Sequence, residues 1–268
     1  MMQHIPIITL TTDFGYRDPL GGIMKGVILG INPLVRIIDL THEVSTFNVR
    51  EAALLIGMSY KQFPQQTIHV VVTDPGVGSQ RKPILVKTEH YTLIGPDNGV
   101  FSMVYNEHEQ YRVIHLTEQH YFLRERGTTF DGRDIFAPVA AWLSRGIDVS
   151  KFGEEITEYV RLPFPSPSMP TRTTLEGEVI LIDHFGNAIT NIRSDDISML
   201  KSTVAQGTIR IIMKGKRIPL KQYYSQAEDK GLHALENSMG HLEIFVYRGN
   251  ASSEFNIKVG DTIGMMVM

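Results

Sequence analysis

The first half of the chain alternates short β-branched apolar runs with segments whose apolar residues recur at helical spacing. The apolar runs cover residues 5–10, 35–40 and 67–73, and the helix-period segments between them end at Asn32-Pro33 and near Tyr60. Strands joined by helices in this order are typical of a mostly parallel sheet that is covered on both faces. We therefore expect an N-terminal α/β domain over residues 1–162.

The pattern changes after this point. Residues 162–170 hold four of the chain's 13 prolines, which indicates an extended linker over residues 163–174. Beyond the linker, Gly, Asn and Lys separate short apolar runs, which lie at residues 176–182, 208–213, 242–247 and 262–267. Short strands with turn signals favour a small C-terminal β-barrel domain over residues 175–268.

The composition argues against several classes of protein. The formal net charge is −3 and basic residues are scattered, so we expect no nucleic-acid binding through phosphate neutralisation. The absence of cysteine excludes disulfides, thiolate nucleophiles and Cys-ligated metals, and the 10 histidines lack ligand-like spacing, so we expect no metal site. Neither a signal-peptide pattern nor an apolar run of about 20 residues is visible. We expect a cytoplasmic protein that does not bind membranes.

Two acidic loops follow predicted strands, which is where ligands bind in open α/β sheets. Asp13 follows the first strand and Asp74 the third, although a lone Asp in such a place often only caps a turn. Residues 74–81 combine Asp74 with two glycines and Arg81. Glycines let backbone N–H groups approach a ligand, and a guanidinium can hold an anion or a carboxylate. The glycine spacing fits neither a P-loop nor a dinucleotide fingerprint, which disfavours a nucleoside-triphosphate enzyme.

Three further segments join polar residues to glycine. Residues 128–134 place two acids and a base around Gly132 at the start of a predicted helix, where simple capping with a salt bridge is an alternative. Residues 183–187 and 237–240 lie at predicted strand ends, and either could be only a turn.

These segments occur in one order along essentially the whole chain. The motifs are Thr12-Asp13-Phe14-Gly15, Asp74-Pro75-Gly76-Val77-Gly78, Gly95-Pro96-Asp97-Asn98-Gly99, Thr129-Phe130-x-Gly132-Arg133-Asp134, Asp183-x-Phe185-Gly186-Asn187 and Asn237-Ser238. The set resembles the S-adenosylmethionine hydroxide adenosyltransferases, relatives of the fluorinases and chlorinases. The resemblance implies an N-terminal α/β domain, a C-terminal β-barrel, and a homotrimer with sites where one subunit's N-terminal domain meets a neighbour's C-terminal domain.

The resemblance also implies the reaction and the groups that bind the ribose. S-adenosylmethionine is the substrate, with no cofactor, and water or hydroxide attacks its ribose 5′ carbon to give adenosine and L-methionine. Asp13 resembles the carboxylate that holds both ribose hydroxyls. Phe47 and Phe130 fall where family members place walls around the ribose and the reacting carbon.

The substrate's two ends are assigned to the second half by the same resemblance. Asp183 and Ser238, with Asn237 in the same motif, resemble the groups that grip the methionine ammonium and carboxylate. Asn187 resembles the amide that reads adenine, assisted by backbone near Ala251.

The catalytic set departs from the family pattern at one position. Asp74 and Arg81 match two members of the family's Asp–Arg–His set, which positions and activates water, but Asp131 stands where those hydrolases usually read Thr-Phe-His-Gly-Arg-Asp. We hypothesise that Asp131 serves as the weak base instead, because a carboxylate is ionised at pH 7.

Two alternatives remain open at the level of sequence. The departure at Asp131 leaves a non-catalytic binder of S-adenosylmethionine or adenosine as one reading. A halide adenosyltransferase on the same scaffold is the other, although anionic Asp74 and Asp131 would repel a halide. A hydrolase of the serine-nucleophile type is disfavoured, because no Gly-x-Ser-x-Gly motif occurs.

Overall fold

The computed structural model describes residues 5–125, 127–203 and 207–268. The chain divides into two compact units at Pro163–Phe164. The first unit is α/β and the second is built mainly from antiparallel strands, so the expected two-domain fold class is confirmed. Among the described residues, no helix has the length and apolar character needed to cross a bilayer.

The described residues of the first unit form seven strands and four α-helices. The strands are β1 (Ile7–Thr12), β2 (Arg36–Thr41), β3 (Ile68–Val72), β4 (Pro83–Thr88), β5 (Thr92–Pro96), β6 (Tyr111–Leu116) and β7 (Gly153–Glu155). The helices are α1 (Leu20–Ile31), α2 (Val49–Ser59), α3 (Ser102–Glu107) and α4 (Ala137–Ser144), with a π-helical turn at Gly132–Phe136 and short 3₁₀ turns at Tyr60–Gln62, Gln119–Tyr121 and Val149–Lys151.

The sheet of the first unit has the strand order β2-β1-β3-β5-β4-β6-β7. β1 pairs in parallel with β2 and β3, and β3 pairs in parallel with β5, whereas β4, β6 and β7 add antiparallel pairs. Val70 and Val72 pack in one core with α1 and α4, while Val71 points into a second core with α2 and α3. The parallel strands are thus covered on both faces, and their carboxyl ends share one edge.

Capping of α2 fixes the segment that enters the site. Asn48 accepts a hydrogen bond from the Glu51 backbone N–H (3.1 Å), and its side-chain amide donates to the Glu51 carboxylate (3.0 Å). An N-cap of this kind contributes about 1 kcal/mol to helix stability. The helix therefore begins at Val49, and Phe47, whose backbone φ is +62°, directly precedes its N-cap.

The second unit consists mainly of strands. In its described residues these are β8 (Ser168–Thr171), β9 (Thr174–Ile182), β10 (Ala188–Arg193), β11 (Ile209–Met213), β12 (Lys216–Ile218), β13 (His233–Glu236), β14 (His241–Phe245) and β15 (Thr262–Val267). Its helices are α5 (Ser194–Ser202) and α6 (Ala251–Phe255), and a 3₁₀ turn covers Tyr224–Gln226. β8 lies inside the Pro-rich segment and pairs with β9.

The strands of the second unit form a nearly closed antiparallel sheet. Their order is β12-β11-β15-β9-β10-β14-β13, with β8 on β9. The two end strands are joined because the Lys221 N–H donates to the Ala234 carbonyl (2.7 Å) and the Ala234 N–H donates to the Pro219 carbonyl (3.0 Å). Joining the ends removes exposed strand edges and encloses an apolar core, as in small barrels.

Candidate active site

A cavity of about 280 Å³ lies where β1 and β3 end in the first unit. Its lining includes five residues that were singled out from the sequence: Asp13, Phe47, Asp74, Phe130 and Asp131. Asp13 and Asp74 come together because β1 and β3 are parallel neighbours and each residue follows its strand. The position agrees with the rule that ligands bind at the carboxyl edge of such sheets.

Asp13 is oriented by the backbone of Phe47. The Phe47 N–H donates to Asp13 Oδ2 (2.9 Å), which leaves Oδ1 without a hydrogen-bond partner among the described residues. In this geometry Phe47 adopts a left-handed backbone conformation, which is unfavourable for a non-glycine residue by about 1–3 kcal/mol. The residue is 67% exposed beside the cavity. An exposed aromatic held in a strained conformation is typical of a binding position rather than of a core position.

A buried histidine, His42, supports the Asp13 loop. Its Nδ1 lies 2.8 Å from Thr12 Oγ1, its Nε2 lies 3.1 Å from Asp39 Oδ1, and its carbonyl accepts the Gly15 N–H (2.7 Å). The residues on both sides of Asp13 are therefore held by one side chain and its backbone. Sequence reasoning assigned His42 no specific role, and the available signal was its place just after β2 at the same sheet edge.

Arg81 connects the two carboxylates of the predicted catalytic set. Its Nε donates to Asp74 Oδ1 (3.0 Å), and its Nη2 contacts both Asp74 Oδ2 and Asp131 Oδ2. The side chains of Arg81, Asp74 and Asp131 are 10%, 5% and 16% exposed, so the cluster is largely shielded from water. Burial raises the pKa of the Asp74 carboxyl; the Arg81 guanidinium opposes this shift and the charge of Asp131 adds to it.

The segment around Asp131 contains a structural ion pair and, beside it, a residue that faces the cavity. Asp134 is fully buried and accepts hydrogen bonds from Arg133 Nε (2.6 Å) and the Gly127 N–H (2.8 Å). Phe130 is packed between Phe14, edge-to-face at 5.7 Å, and the Arg133 guanidinium at 5.4 Å. The salt bridge that the sequence offered as an alternative for this motif is therefore formed by its last two residues, Arg133 and Asp134. Asp131 instead faces the cavity just before the π-helical turn, an element frequent at functional sites.

The Gly-Pro-Asp-Asn-Gly motif supports Asp74 from behind. The Asn98 side-chain amide donates to the Thr73 carbonyl (2.8 Å), and the Asn98 Oδ1 accepts the Val100 N–H (3.2 Å). Asp97 accepts the Val160 N–H (2.8 Å), and burial raises the pKa of its carboxyl. The motif therefore fixes the backbone next to Asp74 and does not line the cavity described above.

In the second unit, the turn between β9 and β10 orders three predicted residues. Asp183 Oδ1 accepts the Asn187 N–H (2.8 Å), and Asp183 Oδ2 accepts the Asn187 side-chain amide (3.0 Å). The Gly186 carbonyl accepts the Ser252 N–H (2.9 Å), which brings the start of α6, with Ala251, against this turn. Gly186 has φ +83°, and a Cβ there would lie 2.1 Å from Asn250, so this position requires glycine.

Glu243 is a member of this region that sequence reasoning missed. It is buried, and its carboxylate accepts hydrogen bonds from the Tyr224 hydroxyl (2.8 Å) and the Asn237 side-chain amide (3.1 Å). Burial raises the pKa of the Glu243 carboxyl, and the nearby charge of Asp183 adds to the shift. A single Glu inside the apolar run of β14 was the available signal.

A second-unit cavity of about 430 Å³ adjoins the same residues. Its lining residues are Phe185, Asn187, Tyr224, Val246, Tyr247, Arg248 and Gly249. Asn187 therefore faces a cavity, and Asn237 is tied to it through Glu243 and Tyr224. Ser238 lies exposed at the turn between β13 and β14, and no hydrogen bond joins it to Asp183 within the described part of the chain.

Comparison with known families identifies the family of the chain. Residues 8–153 match the model of the SAM hydroxide adenosyltransferase N-terminal domain, and residues 177–264 match that of the C-terminal domain. The chain belongs to this family. The resemblance inferred from the motifs is therefore confirmed.

Individual relatives of this SAM hydroxide adenosyltransferase family member span nearly its full length. An (R)-S-adenosyl-L-methionine hydrolase of Methanocaldococcus jannaschii is 37% identical, over 97% of this chain and 95% of its own. A fluorinase of Nocardia brasiliensis is 27% identical, over 98% of this chain and 97% of its own. The crystal structure of an uncharacterized conserved protein from Thermotoga maritima has a TM-score of 0.88 and 33% identity, with 97% of this chain and 99% of that chain covered.

The first-unit cavity of this SAM hydroxide adenosyltransferase family member is anionic. Asp13, Asp74 and Asp131 border it, and Arg81 is the cation that contacts the last two. In a partly dehydrated cleft, such a set attracts a cation and accepts protons more readily than it admits an anion.

Proposed function

We propose that the protein hydrolyses S-adenosylmethionine to adenosine and L-methionine by attack of water on the ribose 5′ carbon. The observation that carries this proposal is the cluster in which Arg81 joins Asp74 and Asp131 at the edge of a cavity that Asp13 also borders. Membership of the family and the relatives named as (R)-S-adenosyl-L-methionine hydrolases support the same reaction.

The first-unit residues have distinct parts in the proposed complex. The free Oδ1 of Asp13 accepts a hydrogen bond from a ribose hydroxyl, while Phe47 and Phe130 form apolar walls around the ribose and the 5′ carbon. The anionic cavity binds the substrate's sulfonium better than a neutral thioether, because the sulfonium carries a positive charge and the thioether carries none.

The second-unit residues bind the substrate's ends in this proposal. Asp183 and Ser238, with Asn237 beside them in sequence, hold the methionine ammonium and carboxylate. Asn187 and the backbone at Ala251 read the adenine edge. The ordered turn at residues 183–187 and the cavity that Asn187 faces support this assignment.

The proposed chemical step is a substitution at carbon. The water oxygen bonds to C5′, the C5′–S bond breaks, and its electron pair stays on sulfur as a neutral thioether. The proton lost by water passes to a carboxylate of the Asp74–Asp131 pair. Positioning of the water supplies up to about 7–11 kcal/mol, and proton acceptance adds about 10²–10⁴-fold. Asp131 takes the place of the family histidine, and Arg81 keeps both carboxylates in orientation.

The fluorinase relative favours one alternative, halide transfer on the same scaffold. The carboxylates of Asp74 and Asp131 oppose it because a halide would approach two anions that share one guanidinium. Binding without catalysis is distinguished from both by its lack of products.

The finer features that the family resemblance implies are part of the same proposal. They are a homotrimer whose sites combine the first unit of one subunit with the second unit of a neighbour, a reaction without a cofactor, and a cytoplasmic location. Light scattering of the purified protein tests the trimer, and cell fractionation tests the location.

The direct test follows both products by chromatography after purified protein meets S-adenosylmethionine in halide-free buffer. We expect adenosine and methionine in equal amounts, and kcat lowered about 10²–10⁴-fold in Asp74→Asn. Asp97→Asn is the matched control, because Asp97 also follows a strand of this sheet and has a pKa raised by burial, but its carboxylate accepts the Val160 N–H and does not line the cavity.

The outcomes separate the alternatives. Ligand binding without products indicates a binding protein, and a halogenated nucleoside formed on addition of chloride indicates halide transfer. Equal loss of activity in Asp74→Asn and Asp97→Asn would remove Asp74 from the mechanism.

A further inference from the structure

A second cavity of about 420 Å³ lies behind the Arg81 ion pair. Its lining includes Arg81 and Asp131, and also the exposed residues Thr117 and Gln119 after β6. Asp131 therefore borders both this cavity and the proposed substrate cavity, whereas Asp74 borders only the latter.

The wall between the two cavities has a rigid part and a side-chain part. Val77 and Thr129 face the substrate cavity, while their neighbours Gly78 and Thr128 face the second one. These two segments touch so closely that a Cβ on Gly78 would lie 2.6 Å from the Thr128 carbonyl oxygen. This part of the wall can open only by movement of the main chain.

The other part of the wall is the ion pair between Arg81 and Asp131. Side chains change rotamer on a far shorter timescale than the main chain rearranges. The ion pair is thus the part of the wall that can admit a small molecule, and Phe136, 5.7 Å from the guanidinium, supports it from the core.

We propose that the second cavity is the route by which water reaches the reacting centre and the proton leaves it while substrate is bound. This inference rests on the proposed function. In the proposed complex the ribose and the reacting 5′ carbon occupy the cavity of about 280 Å³ beside Asp13 and block the exchange of water and protons through that side. Asp131 is the described residue of the proposed proton-accepting pair that also borders the second cavity.

Atoms, electrons and protons balance in the proposed step. One water molecule passes the ion pair and its oxygen bonds to C5′ as the C5′–S bond breaks and its electrons remain on sulfur. Asp131 takes a proton from that water and gives it to water in the second cavity. The protein returns to its starting charge, and the cluster is ready for the next substrate.

The experiment narrows the second cavity without touching the ion pair. Thr117→Val, Thr117→Phe and Thr117→Trp form a series in which the first variant keeps the volume and the others fill the space. The same substitutions at Glu118 are the matched control, because Glu118 is adjacent and exposed but is absent from the described lining. The measurements are kcat and KM for S-adenosylmethionine, with adenosine as the product that is followed.

We expect Thr117→Val to retain kcat and Thr117→Trp to lower it about tenfold, with KM unchanged and a smaller loss in Thr117→Phe. The Glu118 series keeps both constants. A kcat that is independent of side-chain size at residue 117, or that falls equally at residue 118, overturns the route. If the unaltered protein releases no adenosine, the proposed function itself has failed, which is a different result.

Discussion

At the scale of single residues, the two carboxylates that share Arg81 are not equivalent. Asp74 is the more buried of the pair, and burial raises its pKa while Asp131 adds to the shift. A raised pKa means that protonation occurs at a higher pH than the ordinary value of about 3.9. In the proposed reaction Asp74 acts ionised, so kcat/KM, which reports the pKa values of the free enzyme, falls on acidification with a midpoint above that value.

Neutralising Asp131 tests this coupling. In Asp131→Asn the part of the rise in the Asp74 pKa that comes from the charge of Asp131 is lost, whereas the larger part, which is due to burial, remains. The acid limb of the kcat/KM–pH profile therefore moves to lower pH even though kcat/KM itself is reduced. The profile is measured for both proteins at substrate concentrations well below KM. An acid limb that stays in place or moves to higher pH contradicts the account of the pair.

A second residue-scale prediction concerns His69, which lies in the core and not in the site. Its Nδ1 lies 2.8 Å from Thr9 Oγ1, rings of Tyr60 and Phe63 surround it, and burial lowers its pKa to about 3. The unfolded chain binds a proton near pH 6.5, so stability is complete above that pH and falls as the pH drops towards 3.

The slope is at most about 1.4 kcal/mol of unfolding free energy per pH unit. Urea unfolding at pH 7 and pH 5 measures it. We expect His69→Gln to lose part of this pH dependence, whereas His120→Gln, at an exposed position, keeps it. Equal slopes in the two variants would show that His69 does not stay neutral in the folded protein.

At the scale of elements, the loop from β3 to β4 depends on Gly78. Its φ of +79° and the 2.6 Å approach of a Cβ to the Thr128 carbonyl both exclude a side chain. Gly78→Ala therefore displaces the segment that carries Thr128, lowers the free energy of unfolding and reduces kcat together.

Gly26→Ala is the control for that change. Gly26 lies on the exposed face of α1 with open space around its Cα, so alanine there stabilises the helix by about 0.5–1 kcal/mol. Thermal unfolding and the product assay compare the two variants. A Gly78→Ala protein as stable and active as the unaltered one would show that the two loops are free to separate.

The elements also show what the sequence could and could not predict. The spacing of apolar residues predicts α1, α2 and β3, because this signal is local. The positions of Asp13 and Asp74 just after predicted strands are a local signal as well. The order in which β4 and β5 pair, and the closure of the barrel at Ala234, depend on partners far along the chain that no local pattern encodes.

Some site residues could be predicted from the sequence and others could not, because local motifs reveal residues but not the contacts between them. Asp74, Arg81 and Asp131 were found through motifs, but their joining by one guanidinium is a matter of side-chain geometry. His42 and Glu243 were missed because each is a single polar residue near or within a strand, where a core position is the ordinary interpretation.

At the scale of the whole molecule, the proposed homotrimer makes a prediction about mixed assemblies. Asp74→Asn disables the contribution of the first unit to the active site. Asp183→Ala disables the contribution of the second unit. If each site combines units from neighbouring subunits, coexpression of the two variants creates some sites with both residues intact. We expect activity in the mixture that neither variant shows alone.

Separately purified variants mixed just before the assay are the control, since they have no time to exchange subunits. Activity that stays at the level of the single variants after coexpression contradicts sites shared between subunits. The size of each assembly is followed by light scattering in the same samples.

Attack of water on the ribose carbon leaves the water oxygen in a defined place in the products. The protein is incubated with S-adenosylmethionine in water labelled with heavy oxygen and without halide, and both products are examined by mass spectrometry. We predict the label in the 5′ hydroxyl of adenosine and none in methionine. Label in methionine, or adenosine formed without label, would contradict attack of water on the ribose carbon.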